Sequence, residues 1–168
     1  MKWIISLWDD RVEIEELGTA RYEDNVRWHR AERHSPTPPS VGKHIAGVRW
    51  EFGIARGLRV EPAISRILGY PRPSYDGIYR GWPYEVKGTE HSEGHLLYQP
   101  KLHKLGMDIW FLVVDVDAEE WLVRLAGWVW ERDMSELWAP CRFDKSAWCI
   151  AQHDLKSFDF MKDLPPKG

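Results

Sequence analysis

Apolar residues recur at spacings of three and four in VGKHIAGVRWEFGIARGL, Val41 to Leu58, where Ile45, Val48, Phe52 and Ala55 form one stripe. That period predicts an amphipathic helix, with Gly57 and Pro62 as stop signals. Upstream, Lys2 to Leu7 is expected as a short strand. Thr19 to His34 reads as a polar helix with Tyr22, Val26 and Arg33 along one side. Between the helices, SPTPPSVGKH (Ser35 to His44) concentrates prolines, which forbid regular structure, and reads as a loop inside one domain. Beyond Pro62 the pattern becomes strand-like. Two strands flank Arg80-Gly81, and His95 to Gln99 is a third. Ile109 to Val116, IWFLVVDV, is apolar on both faces, as a central covered strand would be. Trp121 to Trp130 follows an acidic turn as another strand, Ala147 to Gln152 adds a short one, and Leu155 to Met161 is expected as a closing helix. A helix, then several strands with helical cover, predicts an α/β (α+β) fold.

The composition suits one globular domain over residues 1–168, with 1–40 as an N-terminal strand and helix extension and 131–168 as a C-terminal one. Hydrophobic residues make up 43% and charged residues 29% of the chain, which argues against disorder. A net charge of -3 argues against a generally basic coat for nucleic acid, but not against a local basic groove beside acidic residues. Cys141 and Cys149 lack metal spacing and are expected as reduced, structural thiols. The apolar run after Lys2 is too short for a signal peptide or a spanning helix, so a soluble, cytoplasmic protein with no membrane partner is expected.

Patterning alone does not account for three charges in the aromatic segment SYDGIYRGWPYEVKGT, Ser74 to Thr89. With Arg80-Gly81 as a two-residue turn, Asp76 falls directly across from Glu85, their Cβ atoms roughly 5 Å apart. Lys87, two residues on, points to the same face. Tyr75, Tyr79, Trp82, Tyr84 and Val86 form the other, aromatic face. Opposed carboxylates repel unless something offsets them. A divalent cation would, since Mg²⁺ takes one or two carboxylates plus waters and phosphate oxygens. A lysine beside it would stabilise developing negative charge or position an attacking water. The plainer alternative is that Lys87 only bridges two acids on a solvated sheet face. Glu51 flanks the buried stripe of the long helix, with Gly47 one turn earlier. A glycine there would let the helix approach the sheet and bring Glu51 near the acids; otherwise Glu51 is a boundary residue facing solvent.

Asp76 followed by Glu85-Val86-Lys87 resembles the signature of the PD-(D/E)XK nucleases, the restriction-endonuclease-like superfamily. GVRWEFGIARGL resembles the Gly-x-x-x-Glu helix that precedes this hairpin in many members, with Glu51 as its glutamate. The likeness covers about Gly42 to Trp130 and is greatest to small phage-type members, in which a Gly-Trp pair, here Gly127-Trp128, follows the catalytic core. The family's proline beside the aspartate is absent; Ser74-Tyr75 stands there. The resemblance implies a central mixed sheet flanked by helices and metal-dependent hydrolysis of phosphodiester bonds, most often in DNA, with endonuclease action favoured over exonuclease. Asp76, Glu85 and the Val86 carbonyl would bind Mg²⁺, with Mn²⁺ as a substitute. Glu51 would complete the site, and Lys87 would orient the water. Related enzymes often dimerise to cut two strands. The alternatives are a non-catalytic nucleic-acid-binding or assembly protein that keeps the fold, and a phosphohydrolase acting on a nucleotide or RNA.

Phosphate contacts are expected from Lys101 and Lys104 after the third strand, or from Arg27, Arg30 and His34 on the N-terminal helix, although charged faces are usually just solvated. Gln99 is a further candidate. His91 and His95 have a spacing a helix could use for zinc, but Ser92-Glu93-Gly94 reads as a loop between them and no third ligand is near. No nucleophile elbow, P-loop or dinucleotide fingerprint is present.

Overall fold

The computed structural model describes residues 3–27, 40–63, 75–98, 107–142 and 147–168. The helix predicted from apolar spacing, α2 (Val41–Leu58), begins at Ser40, whose hydroxyl accepts the Lys43 N–H, and ends at Arg59 in a left-handed conformation. Ahead of it run β1 (Ile4–Ser6) and α1 (Arg11–Arg27). After it come β2 (Gly77–Tyr79), β3 (Trp82–Thr89), β4 (Leu96–Tyr98), β5 (Ile109–Asp117) and β6 (Leu122–Trp130). A short helix α3 (Met134–Leu137), β7 (Ala139–Pro140) and β8 (Trp148–Ile150) complete the regular elements.

The main sheet has the order β1-β6-β5-β3-β2. It is mixed: β3 and β5 are parallel, and every other neighbouring pair is antiparallel. Helices α1 and α2 cover one face, where Ile14, Val48 and Phe52 meet Tyr84, Val86, Phe111 and Val123. The other face carries Trp110, Leu112 and Val114 under Leu96, Tyr98 and Ile150, which belong to a second sheet of order β4-β8-β7. Strand β5 is therefore buried on both sides, as its apolar run predicts, and the fold is a helix-flanked α+β one. Among the described residues, no helix is long and apolar enough to cross a membrane.

Several expectations need correction. Helix α1 starts at Arg11, eight residues before Thr19, because Ile14, Leu17 and Gly18 bury against the rest of the core; residues 28–34 lie outside the described ones. The strand and helix expected as an extension belong to the main structure, β1 pairing with β6. Tyr75 packs toward the second-sheet face, not with Tyr84, since the chain leaves the hairpin ladder there. The closing helix is a 3-10 segment, Phe158–Asp163. Gly47 faces Arg21 of α1, not the sheet. Close approach to the sheet occurs at Gly53 and Gly57 instead, where an added Cβ would lie 2.8 Å from Val123 and 2.2 Å from Leu125. Cys141 and Cys149 are not free thiols but a disulfide, their Cα atoms 5.0 Å apart across the second sheet, within normal bridging range.

Candidate active site

The hairpin has the predicted turn and register. Gly77, Ile78 and Tyr79 pair with Tyr84, Pro83 and Trp82, and both turn residues, Arg80 (φ 51) and Gly81 (φ 87), have positive φ, as a type I′ hairpin turn requires. Asp76 lies one step beyond the ladder, and its position differs from simple opposition. Its N–H donates to the Tyr84 carbonyl at 2.8 Å, while its carboxylate Oδ2 accepts the Val86 N–H at 2.8 Å. Asp76 therefore grips the peptide groups on both sides of Glu85. Because a strand residue's N–H and C=O point to the same edge, the Val86 carbonyl also faces the edge where Asp76 sits.

Glu85 and Lys87 point to the face away from α2, above Trp110 and Leu112 of the parallel strand β5. The Lys87 Nζ donates to Glu85 Oε1 at 2.7 Å; the Glu85 side chain is 3% exposed and that of Lys87 39%. Trp110 lies beside the ammonium, 5.5 Å from ring centroid to Nζ. A core carboxylate thus anchors a lysine whose other side is open. Lys87 lines a groove of about 690 Å³ together with Thr89, His91, His95 and Leu97. The loop holding the two histidines is braced from behind: the Gln152 amide donates to the Ser92 and Gly94 carbonyls, and Arg124 donates to Ser92 O and Gln152 Oε1. His91 and His95 do lie on a loop, as expected.

Glu51 is not a solvent-facing residue. Its carboxylate accepts from Arg21 Nη2 at 2.8 Å, and both side chains are mostly buried. Burial alone would lower the Arg21 guanidinium, but the charges of Glu51 and Asp76 and the hydrogen bond to Glu51 outweigh it and hold Arg21 above its ordinary value. Asp76 therefore lies within electrostatic reach of Arg21, at the sheet edge between two acid–base pairs. Glu51 lies on α2, which covers the face of the sheet opposite to the one Glu85 points to. Among the described residues, no group of three or more His, Cys, Asp or Glu is gathered to hold a metal ion. The donors nearest to what Mg²⁺ uses are the Asp76 and Glu85 carboxylates with the Val86 carbonyl; an all-oxygen set with two carboxylates fits that ion. Glu51 is not assembled with them.

The structure adds a buried cluster that the sequence pattern did not single out. Arg49 of α2 donates to Asp115 of β5, and the Trp50 Nε1–H donates to the same carboxylate at 3.0 Å. Burial pushes the Asp115 carboxyl up, against the lowering effect of Arg49 and the Trp50 N–H. The Trp50 ring also lies on Gly88, where an added Cβ would stand 1.7 Å from Cδ2, so α2 is fixed to β3 directly behind Lys87. The one signal for this cluster was an acid inside the otherwise apolar IWFLVVDV. Of the phosphate-contact candidates, Arg27 is exposed at the end of α1. Arg30, His34, Gln99, Lys101 and Lys104 lie outside the described residues. No family model, curated protein or solved structure matches this chain.

Proposed function

We propose that this chain is a metal-dependent nuclease that hydrolyses phosphodiester bonds, in DNA first of all, on a restriction-endonuclease-like core. The observation that carries this is the hairpin geometry: Asp76 brackets Glu85 through both flanking peptides, and Glu85 holds Lys87 at the mouth of a groove. The order of α2, hairpin and buried central strand β5 in a mixed sheet supports it, since the resemblance implies that order. Asp76, Glu85 and the Val86 carbonyl would hold Mg²⁺ or Mn²⁺. When bound, the ion offsets the two carboxylates and polarises a phosphoryl oxygen. Lys87 supplies a positive charge where negative charge develops on the phosphorus oxygens, and orients the attacking water. Glu85 sets where that ammonium stands. The groove beyond Lys87 admits the strand.

A second reading is favoured by one observation. Glu51 is committed to Arg21 and stands apart from the hairpin acids, which suits a nucleic-acid-binding protein that keeps the fold without catalysis. One assay separates the two. Purified protein is given linear, circular and single-stranded DNA, and RNA, with Mg²⁺, Mn²⁺ or EDTA, alongside Lys87→Ala. Cutting that needs metal and is lost in the variant upholds the nuclease. Salt-sensitive binding with no cutting on any substrate overturns it in favour of the binding protein.

A further inference from the structure

At the other end of the hairpin from Thr89, a cavity of about 550 Å³ opens between the C-terminal end of α2, the turn of the β2–β3 hairpin and the 3-10 segment Phe158–Asp163. Its aromatic wall is Trp3, Tyr79 and Phe158, and its rim carries Arg59, Arg80 and Lys162 against one acid, Asp159. The chain is acidic overall, with a net charge of -3, so three cations around one cavity reverse the sign locally. Such a concave cationic site focuses its field on an anion.

Among the described residues, neither Arg59 nor Lys162 makes an ion pair or a side-chain hydrogen bond, and both are exposed. Arg80 donates to the Leu164 carbonyl, which fixes its direction while leaving its charge uncompensated by that contact. The Asp159 carboxylate lies against the Ser157 hydroxyl at 3.3 Å.

The backbone supplies an independent observation. Non-glycine residues at positive φ are Arg59 (φ 57), Arg80 (φ 51) and Trp121 (φ 55) among the described residues, and both arginines line this one cavity. Arg59 occupies the left-handed position after a helix, where glycine is the relaxed choice. Arg80 opens a hairpin turn where glycine or asparagine is. Arginine twice at such positions keeps backbone strain in exchange for two guanidinium groups at one place, and strain of this kind collects at functional sites. Guanidinium forks match phosphate oxygens, and flat aromatic walls suit a base.

We propose that this cavity binds a phosphorylated nucleoside, its phosphate held by Arg59, Arg80 and Lys162 and its base against Trp3 and Tyr79. The site is separate from the chemistry of Asp76, Glu85 and Lys87. It is tested in EDTA, so that failure of the nuclease reading and failure of this one are distinguishable. Calorimetric titration of the full chain with adenosine 5′-monophosphate, adenosine and inorganic phosphate should show the monophosphate binding at least about tenfold tighter than either fragment. Arg59→Gly and Lys162→Ala should each weaken it by about tenfold or more. Arg59→Gly should unfold close to the parent's temperature, because glycine relaxes the left-handed backbone. Parallel titrations with 5′-phosphorylated and 5′-hydroxyl oligodeoxynucleotides identify the source. Phosphate-dependent binding there assigns the cavity to strand ends, and binding of the free monophosphate alone assigns it to nucleotides; both uphold the site. A monophosphate no tighter than its fragments, or Arg59→Gly and Lys162→Ala with unaltered affinity, overturns it.

Discussion

Replacing Lys87 by methionine keeps the length and apolar stem of the side chain but removes the ammonium, leaving the Glu85 carboxylate in the core without that partner. The cost can be bounded from the exposures. Breaking a fully buried pair by removing one partner costs about 3–5 kcal/mol, and an exposed pair is worth about 0–1 kcal/mol. Here the acid is 3% exposed and the lysine 39%, so water already screens one side of the pair. Lys87→Met should therefore lose about 1–3 kcal/mol, read by urea denaturation at pH 7. In a chain of this size each kcal/mol lowers the melting temperature by about 2–4 °C. Adding Glu85→Gln removes the negative charge that Lys87 offsets, so the double variant should recover much of that loss, a coupling that a double-mutant cycle measures directly. Cleavage should not recover: each single variant and the double should fall by at least about 10²-fold, the loss typical for removing one group that stabilises transition-state charge. Stability and activity thus part company in the double variant. If Lys87→Met unfolded with the parent, the ammonium would not be compensating the buried carboxylate. If the double variant cleaved at the parent rate, neither residue would take part in the chemistry.

Three further predictions use other parts of the molecule. Asp76→Asn keeps an oxygen to accept the Val86 N–H but removes the charge, so stability should change by less than about 1 kcal/mol while cleavage falls at least about 10²-fold; undiminished cleavage would confine Asp76 to closing the ladder. Gly18→Ala in α1 should destabilise by about 1–3 kcal/mol despite alanine's better helix propensity, because the new Cβ would stand 2.6 Å from the Ile45 Cα, which is backbone and can yield only by parting the helices. A raised melting temperature would refute that close crossing. Asp115 has its carboxyl raised by burial, so the folded protein holds that proton to higher pH than the unfolded chain does. Its contribution to stability is fully present below the ordinary value near 4 and is lost as pH rises through the raised value. Stability measured against pH should show this decline in the parent and lack it in Asp115→Asn; the same curve in both would locate the proton elsewhere.

What the sequence displays depends on whether a feature is periodic. Helix α2 and strand β5 could be read because burial repeats along them, every three to four residues in one and at nearly every residue in the other. The hairpin could be read because Arg80-Gly81 suits a turn that fixes register. Helix α1 was half-hidden because its buried residues, Ile14, Leu17 and Gly18, sit among acids, and a glycine in a helix looks like a break until a second helix packs on it. Strands β4 and β8 were expected, within His95 to Gln99 and Ala147 to Gln152, but their union with β7 in a second sheet was hidden for a different reason. Strands β4, β7 and β8 are two or three residues long, too short to show alternation, and β4 meets β8 only across the long stretch of chain from Tyr98 to Trp148.

The same distinction separates the parts of the candidate site. Asp76, Glu85 and Lys87 are close in sequence and follow from one turn, whereas the partners that decide what each acid can do come from elsewhere. Arg21 reaches Glu51 from another helix, and Arg49 and Trp50 reach Asp115 across the sheet. No spacing rule foretells those pairings, because they depend on how α1 and α2 are laid over the sheet. Their effect on the geometry of the candidate site is direct. Arg21 neutralises Glu51 on the helix side, and Trp50, held by Asp115 and seated on Gly88, fixes the strand that carries Lys87. In the proposed nuclease, acids already partnered in this way would need less from a cation to hold their place, and transition-state stabilisation would fall to Lys87, which is both anchored to a core carboxylate and open to the groove.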